Sequence, residues 1–281
     1  MSEYIKNLEK KADQIREEII SVAVKNQAGH IAPSLSCVDI LVALYYKIMR
    51  YKKTDPYWED RDRLIFSKGH GCYALYAILA NLGILPKNKW QNFYTAKSSL
   101  CGCVERNLNY GLEASCGSLG HGLSMAVGIA FAAKLLNKKY RTFCLVGDGE
   151  LQEGSNWEAL QFAVKYDLSN LLIIVDKNRL QAMDFIVNVL DKKETDLLKR
   201  LKGFGLFVNA CCGHNIKELI DCIEKSLCAK ITKPKVIVAK TIKGFGLKCM
   251  ENIAKFHFRV PTEEELKLGK TYAKKLSQSN H

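Results

Sequence analysis

The stretch RTFCLVGDGELQEGSNWEALQFAVKYDLSNLLIIVDKNRL, residues 141–180, decides the fold. Two short runs within it, 142–146 and 171–175, are apolar throughout, as buried parallel strands are. Between them, apolar residues recur at helical spacing over 151–166. A strand, a crossover helix and a second strand form the unit from which parallel sheets are built. We therefore predict an α/β protein with a mostly parallel sheet and helices on both faces.

Polar residues follow both strands at the point where each strand ends. Gly147, Asp148 and Gly149 come after the first strand, and Asn178 comes just beyond the second. Parallel strands joined by a crossover end at the same edge of the sheet, and open α/β sheets bind their ligands at that edge. Asp148 and Asn178 are therefore predicted to lie close together, although they are far apart in the chain.

The groups at this edge are of the types that hold a metal diphosphate. The Asp148 carboxylate, the Asn178 amide and the backbone carbonyl of Leu180 supply three oxygens. Such oxygens suit Mg²⁺, with Ca²⁺ or Mn²⁺ as alternatives, better than they suit zinc. Gly147 and Gly149 let the backbone approach a phosphate, and Gly149 opens a helix whose N–H groups favour an anion. An ordinary strand-to-helix turn with a capping aspartate is the alternative interpretation.

Asn at this distance after a GDG tripeptide is the thiamine diphosphate motif, and GDGELQEGSNWEA at 147–159 resembles transketolase. Two earlier stretches are similar to the same family. They are AGH at 28–30 with SLSCVDILVALYY at 34–46, and DRLIFSKGHGCYALYAILANLG at 62–83. The resemblance extends over nearly the whole chain. It implies the thiamine diphosphate-binding fold, thiamine diphosphate and Mg²⁺ as cofactors, and a transketolase-type transferase activity.

The resemblance also implies roles for residues that match the family's motifs. His30 would lie near the sugar donor, and His70 would contact the cofactor diphosphate with Lys68 beside it. Gly117 and Leu119 would lie by the aminopyrimidine ring. The residues implied to bind the cofactor are Lys68, His70, Gly117, Leu119, Gly147, Asp148, Gly149, Asn178, Lys243 and His257. The residues implied to be catalytic are His30, His257 and Glu153.

Two positions depart from the family's usual pattern. The family commonly has Gly-His-Pro where this chain has Gly102-Cys103-Val104, and a glycine where this chain has Phe258. A thiol is a weak hydrogen-bonding group and cannot replace an imidazole as acid or base near neutrality. We therefore expect altered handling of the usual sugar donor. A donor such as a sulfo-sugar, a branched sugar or an α-keto acid is an alternative.

The resemblance covers only the front part of a full-length transketolase. We predict one diphosphate-binding domain over 1–281, with the pyrimidine-binding and C-terminal domains on a partner chain and an α2β2 heterotetramer as the assembly. Glu153 and Glu158 match family glutamates at the dimer contact; solvated helix charges are the alternative. The implied reaction transfers a two-carbon ketol unit from a ketose or ketose phosphate to an aldose. An idle binding or regulatory module of the same fold is a further alternative.

Composition bears on whether the chain is a membrane protein, a secreted protein or a zinc protein. Of the 281 residues, 48% are apolar and 25% charged, which is ordinary for a globular protein. No apolar run approaches the ~20 residues of a membrane span, and the charged N-terminal helix does not resemble a signal peptide. The cysteines lie mostly in apolar segments, which favours free thiols and a cytoplasmic location. A zinc site at Cys101, Cys103 and Cys116 is disfavoured because it lacks a paired CxxC set.

The chain carries a formal net charge of +13. Such a charge attracts phosphorylated or otherwise anionic small molecules, or the acidic face of a partner. Nucleic-acid binding is a disfavoured alternative, because the lysines are dispersed and no nucleic-acid motif accompanies them.

Overall fold

The computed structural model describes residues 2–193 and 195–269, and within them five strands form one parallel sheet. The strands are β1 (Arg63–Phe66), β2 (Thr142–Gly147), β3 (Leu171–Lys177), β4 (Phe207–Cys212) and β5 (Lys235–Lys240). Their order across the sheet is β1-β2-β3-β5-β4, and each neighbouring pair is parallel. The predicted parallel sheet is confirmed.

The connections between strands are mostly helical. The α-helices are α1 (Glu3–Asn26), α2 (Ile31–Leu35), α3 (Val38–Ala43), α4 (Cys72–Asn81), α5 (Lys87–Gln91), α6 (His121–Leu135), α7 (Gly154–Lys165), α8 (Ile186–Val189), α9 (Asp196–Gly203), α10 (Ile216–Cys228) and α11 (Glu263–Lys267). Short 3₁₀ turns lie at Gly69–Gly71, Leu108–Tyr110, Gly149–Gln152 and Ala254–Phe256.

Successive strand residues point to opposite faces of the sheet, so each face carries its own set of apolar side chains. Helices cover both sets. Leu145 and Ile174 belong to a core shared with α1, α3, α4 and α10. Val146 and Ile173 belong to a second core shared with α6, α7 and α9. The α/β architecture with helices on both faces is therefore confirmed.

Strand register fixes which residues meet at the carboxyl edge of the sheet. Gly147 of β2 pairs with Asp176 of β3, and Asp176 pairs in turn with Ala239 of β5. Because of this pairing, β3 continues two residues beyond the apolar run, through the buried Asp176 and Lys177. Polar residues are thus held in regular strand structure at the edge where a ligand would bind.

The predicted helix over 151–166 is interrupted. A 3₁₀ turn covers Gly149–Gln152, and α7 begins only after Glu153, whose backbone is extended. The Asn156 side chain donates to the Glu150 carbonyl at 2.7 Å and so satisfies a group that a continuous helix would have bonded internally. The break turns the Glu150 side chain back into the protein.

The chain from 31 to 48 forms three helical segments and not one continuous helix. α2 ends at Leu35, α3 follows, and the remaining residues form a π-helical turn at Leu44–Ile48. Between the two helices, the Ser36 hydroxyl shares its single proton between the Asp176 carboxylate at 2.6 Å and the Pro33 carbonyl at 3.0 Å. Serine side chains that bond nearby backbone compete with helix continuation in this way.

Both ends of the described chain are helical. The apolar residues that α1 buries include Ile5, Leu8, Ala12, Ile15, Ile19 and Val22. Thr262 and Glu265 form a reciprocal capping box at the start of α11. A capping box at Thr262 and Glu265 predicts a last, basic helix, and the chain from 270 onward lies outside the described residues. In the part that is described, no helix combines the length and apolar character needed to cross a bilayer.

Candidate active site

The carboxyl edge of the sheet brings Asp148 and the residues around Asn178 together. Asp148 lies directly after β2, and its Oδ2 accepts from the backbone N–H of Arg179 at 2.6 Å. The Asp148 N–H donates to the carbonyl of Asp176 at 3.3 Å. Asp148 thus contacts residues on either side of Asn178 in the chain, at the edge where β2 and β3 end.

Three oxygens at this edge form a donor set that suits a hard cation. They are carried by Asp148, Asn178 and the Leu180 carbonyl, and the Leu180 N–H donates to Asn178 Oδ1 at 3.1 Å. The Lys243 ammonium donates to the Leu180 carbonyl and to the carbonyl of Gln181, both at 2.9 Å. The residue types therefore fit a divalent cation, because a carboxylate, an amide and a carbonyl all offer hard oxygens. Across 2–193 and 195–269, His, Cys, Asp and Glu form no group of three suited to a metal, so the candidate donors are mixed oxygens.

Asp148 lies in an environment that disfavours its charge. Burial and the nearby Asp176 carboxylate raise the pKa of Asp148 to about 6. A bound divalent cation would reverse this effect, since an adjacent positive charge favours the carboxylate. The charged form of Asp148 is therefore disfavoured in the ligand-free protein and would be favoured beside a bound cation.

Three histidines and a lysine form what we call the histidine–lysine cluster: His30, His70, His257 and Lys243. Ring centroids are 5.5 Å apart for His30 and His70, 5.2 Å for His30 and His257, and 5.3 Å for His70 and His257. The Lys243 Nζ lies 2.7 Å from His257 Nδ1. Residues after β1, after β5 and before α2 and α11 thus meet at one place.

The charged form of every member of the cluster is disfavoured. Burial and the charge of Lys243 lower the pKa of His30 to about 4 and that of His257 to about 3. Burial likewise places the pKa of His70 well below its ordinary value. Burial and Lys68 lower the pKa of Lys243 to about 7. Among the described residues the buried His30 Nδ1 finds no hydrogen-bond partner. A nearby anion would favour the charged forms of such buried basic groups.

Lys68 was predicted to contact the diphosphate, but the structure engages it within the protein. Its ammonium forms a buried ion pair with Asp176 and donates to the Pro33 carbonyl at 2.9 Å. Burial alone would lower the pKa of Lys68, yet the Asp176 carboxylate holds it above the ordinary value. Lys68 therefore lies next to the cluster with its charge already balanced.

Asp176 was not singled out by the sequence, although it connects several parts of the site. Its carboxylate accepts from Lys68 and Thr241, from the Ser36 hydroxyl at 2.6 Å and from Asn178 Nδ2 at 3.4 Å. An aspartate directly after the apolar run 171–175 was the available signal in the sequence. Asp176 holds the Asn178 side chain and the residues that precede Lys243.

Glu150 is a second carboxylate that the sequence did not single out. It is buried, and it accepts from the Ser67 hydroxyl, from Gly147 N–H at 3.1 Å and from Gly120 N–H at 3.0 Å. The Gly149 N–H donates to Asp148 Oδ1 at 2.9 Å. Both predicted phosphate-facing glycines thus donate to carboxylates within the protein.

The loop that carries Gly117 and Leu119 lies against the turn of His70. The Cys116 N–H donates to the Val104 carbonyl at 2.8 Å. A side chain at Gly69 would overlap the Cys116 carbonyl, so only glycine permits this approach. Gly117 is exposed and Leu119 half-buried, which leaves both accessible to a ligand at the edge.

The remaining predicted residues lie around this centre. Cys103 is half-buried, and its Cβ is 3.6 Å from where a side chain on Gly117 would begin. The Phe258 ring packs edge-on against His30 with centroids 4.5 Å apart. Glu153 and Glu158 are exposed, and the structure does not bring Glu153 to the histidine–lysine cluster.

Comparison with known proteins agrees with this architecture. The family described as "Transketolase, thiamine diphosphate binding domain" matches residues 8–274. A subunit of the apulose-4-phosphate transketolase of Actinobacillus succinogenes is 39% identical over 263 residues, which cover 93% of this chain and 94% of that protein. A subunit of the 6-deoxy-6-sulfo-D-fructose transketolase of a Clostridium species is 34% identical over 266 residues, covering 94% and 95%.

Solved structures share the fold but belong to longer chains. The transketolase of Campylobacter jejuni superimposes with a TM-score of 0.85 at 30% identity, and this chain covers 42% of it. The transketolase of Leishmania mexicana gives the same TM-score at 28% identity, with 40% of its length covered. From the family match, the related proteins and the shared fold, we conclude that this chain belongs to the transketolase-type transferases and contains their thiamine diphosphate-binding domain.

Proposed function

We propose that this chain is the diphosphate-binding subunit of a two-chain transketolase. It would act with thiamine diphosphate and Mg²⁺ to transfer a two-carbon ketol unit from a ketose or ketose phosphate to an aldose. The observation that carries the proposal is the adjacency of two sites with opposite preferences. The oxygens of Asp148, Asn178 and Leu180 suit a cation, and the histidine–lysine cluster beside them suits an anion. A magnesium-bound diphosphate satisfies both.

The residues divide the work as follows. Asp148, Asn178 and the Leu180 carbonyl would hold the cation, and Lys243 would move from that carbonyl to the diphosphate. His70 and His257 would donate to diphosphate oxygens, because an adjacent anion favours their protonated forms. His30 would face the donor sugar and orient its hydroxyls. The cofactor supplies the carbanion chemistry that the protein side chains cannot provide.

Cofactor binding by the chain assembled with its partner tests this assignment. Calorimetric titration with thiamine diphosphate is expected to show binding that requires Mg²⁺. Asp148→Asn should weaken it by about 10–100-fold, the range for losing a charged ligand contact. Asp167→Asn makes the same chemical change at an exposed turn and is the matched control. Equal affinity of Asp148→Asn and the control would refute the metal assignment.

A partner chain is part of the proposal. Relatives named as transketolase subunits are covered over 92% to 95% of their length, whereas solved transketolases are covered over only 40% to 42%. The cofactor must be held between two domains, and this chain supplies the one that binds diphosphate. We infer that the pyrimidine-binding half lies on a second chain and that two copies of each form an α2β2 heterotetramer. Exposed Glu153 and Glu158 would lie at the contact between them.

Co-purification with the product of an adjacent reading frame tests the assembly. Sedimentation should give the mass of two copies of each chain, and activity should appear only in the mixture. Activity of this chain alone would refute the split-enzyme proposal. A complex that binds no cofactor would instead favour an idle or regulatory module.

The donor is proposed to differ from a plain sugar phosphate. Cys103 lies beside Gly117, where an imidazole is usual in the family, and two relatives carry names that specify unusual sugars. The assembled enzyme should therefore prefer apulose 4-phosphate or a sulfo-sugar to a plain ketose phosphate. Cys103→His should shift the preference toward the plain donor, whereas Cys101→His, at an exposed neighbouring thiol, should not. Unchanged preference would contradict the proposal, and carbon dioxide release would indicate an α-keto acid.

The location is proposed to be the cytoplasm. All eleven cysteines are free thiols, and most of them, such as Cys72 and Cys144, are buried in the two cores. Proteins of oxidising compartments tend to use cysteines for disulfides.

A further inference from the structure

A histidine just after β4 lies at the carboxyl edge, and it has no role in the site described above. The His214 side chain is only 5% exposed. Its Nε2 accepts from the Ile242 N–H at 2.8 Å, and its Nδ1 lies 2.8 Å from Asp39 Oδ2. A backbone N–H can only donate, so Nε2 is the acceptor and Nδ1 carries the proton. The imidazole is therefore held as one tautomer.

The imidazole is fixed from its other sides as well. Asp39 forms a buried ion pair with Arg16, which keeps the carboxylate oriented toward His214. The Phe245 ring stacks on the imidazole with centroids 3.6 Å apart and 16° between the planes. The Arg16 guanidinium lies 4.8 Å from the centroid of the Phe245 ring. Rigid surroundings of this kind are what a residue needs if it is to position another group.

The group that His214 contacts is the turn from which Lys243 projects. Ile242 precedes Lys243, and Phe245 follows it by two residues. Between them, Gly244 has a φ of +79° and donates to the Ala32 carbonyl at 3.0 Å. The turn 242–245 is thus held by its bonds to His214 and Ala32, by a bond from the Asn252 N–H to the Lys243 carbonyl at 2.9 Å, and by the stacked ring.

We propose that His214 is a positioning residue that holds the turn 242–245 so that the Lys243 ammonium is set for the cofactor diphosphate. The inference rests on the proposed function, because it assigns Lys243 to the diphosphate. Arg16 and Asp39 complete the arrangement by fixing the tautomer and orientation of the imidazole.

Two substitutions separate the bonds that His214 makes. The amide of His214→Gln reaches the position of Nε2 and keeps an acceptor for Ile242. The amide of His214→Asn reaches the position of Nδ1 and keeps a donor for Asp39, but it leaves the Ile242 N–H without its acceptor. His214→Asn should therefore loosen the turn more than His214→Gln, even where both lower stability equally.

The probe is inorganic diphosphate with Mg²⁺, measured on the full chain by calorimetry. His214→Asn should weaken binding on the order of tenfold, the loss of about one hydrogen bond, and His214→Gln by less. In a Lys243→Met background, His214→Asn should cause no further loss, because its effect passes through Lys243. An equal loss in both backgrounds, or none in either, overturns the inference.

Hydrogen exchange distinguishes this inference from the proposed function. The amides of 242–247 should exchange faster in His214→Asn than in His214→Gln, while those of α6 and α7 stay unchanged. If the two variants exchange alike, the inference is overturned whatever the binding result. If the wild type binds no diphosphate but the turn loosens selectively, the proposed function fails and the hold of His214 on the turn stands.

Discussion

Lys68 and the histidine–lysine cluster both lie at the carboxyl edge of the sheet, and they differ in how their charge is balanced. Lys68 is fully buried and paired with Asp176, and its pKa is raised. Within the described residues the histidine–lysine cluster has no carboxylate paired with it in this way, and the pKa of each of its members is lowered. The protein balances the charge of Lys68 itself, whereas the cluster is left without such a partner. Under the function proposed above, Lys68 would belong to the framework of the site and the cluster to its binding surface.

The largest expected effect comes from breaking the completed pair. Asp176→Asn leaves the Lys68 charge buried without a partner, so the free energy of unfolding should fall by about 3–5 kcal/mol. Denaturation by urea measures it. Asp148→Asn is the matched control at the same edge; because the pKa of Asp148 is raised, losing its charge should cost little in the cofactor-free protein. A larger loss for Asp148→Asn than for Asp176→Asn would invert the comparison.

The next effect concerns the cluster. Lys243→Met removes a buried amino group whose pKa is lowered by burial. The free energy of unfolding of the cofactor-free protein should therefore stay the same or rise by about 1 kcal/mol. The affinity for thiamine diphosphate with Mg²⁺ should fall by about 10–100-fold, because a charge-assisted hydrogen bond is lost. Lys240→Met, at an exposed position, is the control and should change neither quantity. Strong destabilisation with unchanged affinity would assign Lys243 to the framework instead.

The pH dependence of stability sharpens the same contrast. His30 and His257 have folded pKa values of about 4 and about 3, below the ordinary value of 6.5. Between these values the unfolded chain binds more protons, so stability from these residues is complete above pH 6.5 and is lost as the pH falls toward 4 and 3. Bound diphosphate should reduce the loss by raising both pKa values. Urea titrations at several pH values, with and without diphosphate, measure it; identical slopes would contradict the anion site.

The smallest effects compare the two glycines beside Asp148. A methyl group at Gly147 would meet Glu150 only at 3.9 Å, whereas one at Gly149 would lie 3.1 Å from the Gln181 Cβ. Gly147→Ala should change the free energy of unfolding by less than about 0.5 kcal/mol, and Gly149→Ala should lower it by about 1 kcal/mol. Thermal denaturation compares them. The reverse order would show that the chain relieves the close contact at Gly149 at no cost.

The sequence predicted the sheet and its edge because both depend on local pattern. Apolar runs followed by polar residues mark strand ends, and parallel topology brings those ends together. Asp148, Asn178 and the loop histidines followed from that reasoning and from the resemblance to transketolase. The roles assigned to them toward cofactor and substrate remain predictions, which the titrations above would test.

The balance of charge could not be predicted in the same way. Asp176 and Lys68 are far apart in the chain, and only the packed structure makes them partners. The role of Glu150 depended on a break after the 3₁₀ turn, which helical periodicity did not indicate. The contacts of His214 depend on the placement of β4 beside β5, and sequence order alone leaves that pairing open.

The pairing of Gly147 with Asp176 has a consequence for insertions and deletions. The turn between α7 and β3 lies at the opposite end of the strands from the site, so an extra residue there would be absorbed without moving Asn178. An extra residue inside β3 would turn each following side chain to the other face. Natural variants of this fold should therefore differ in length at 166–170 and stay constant from 171 to 178.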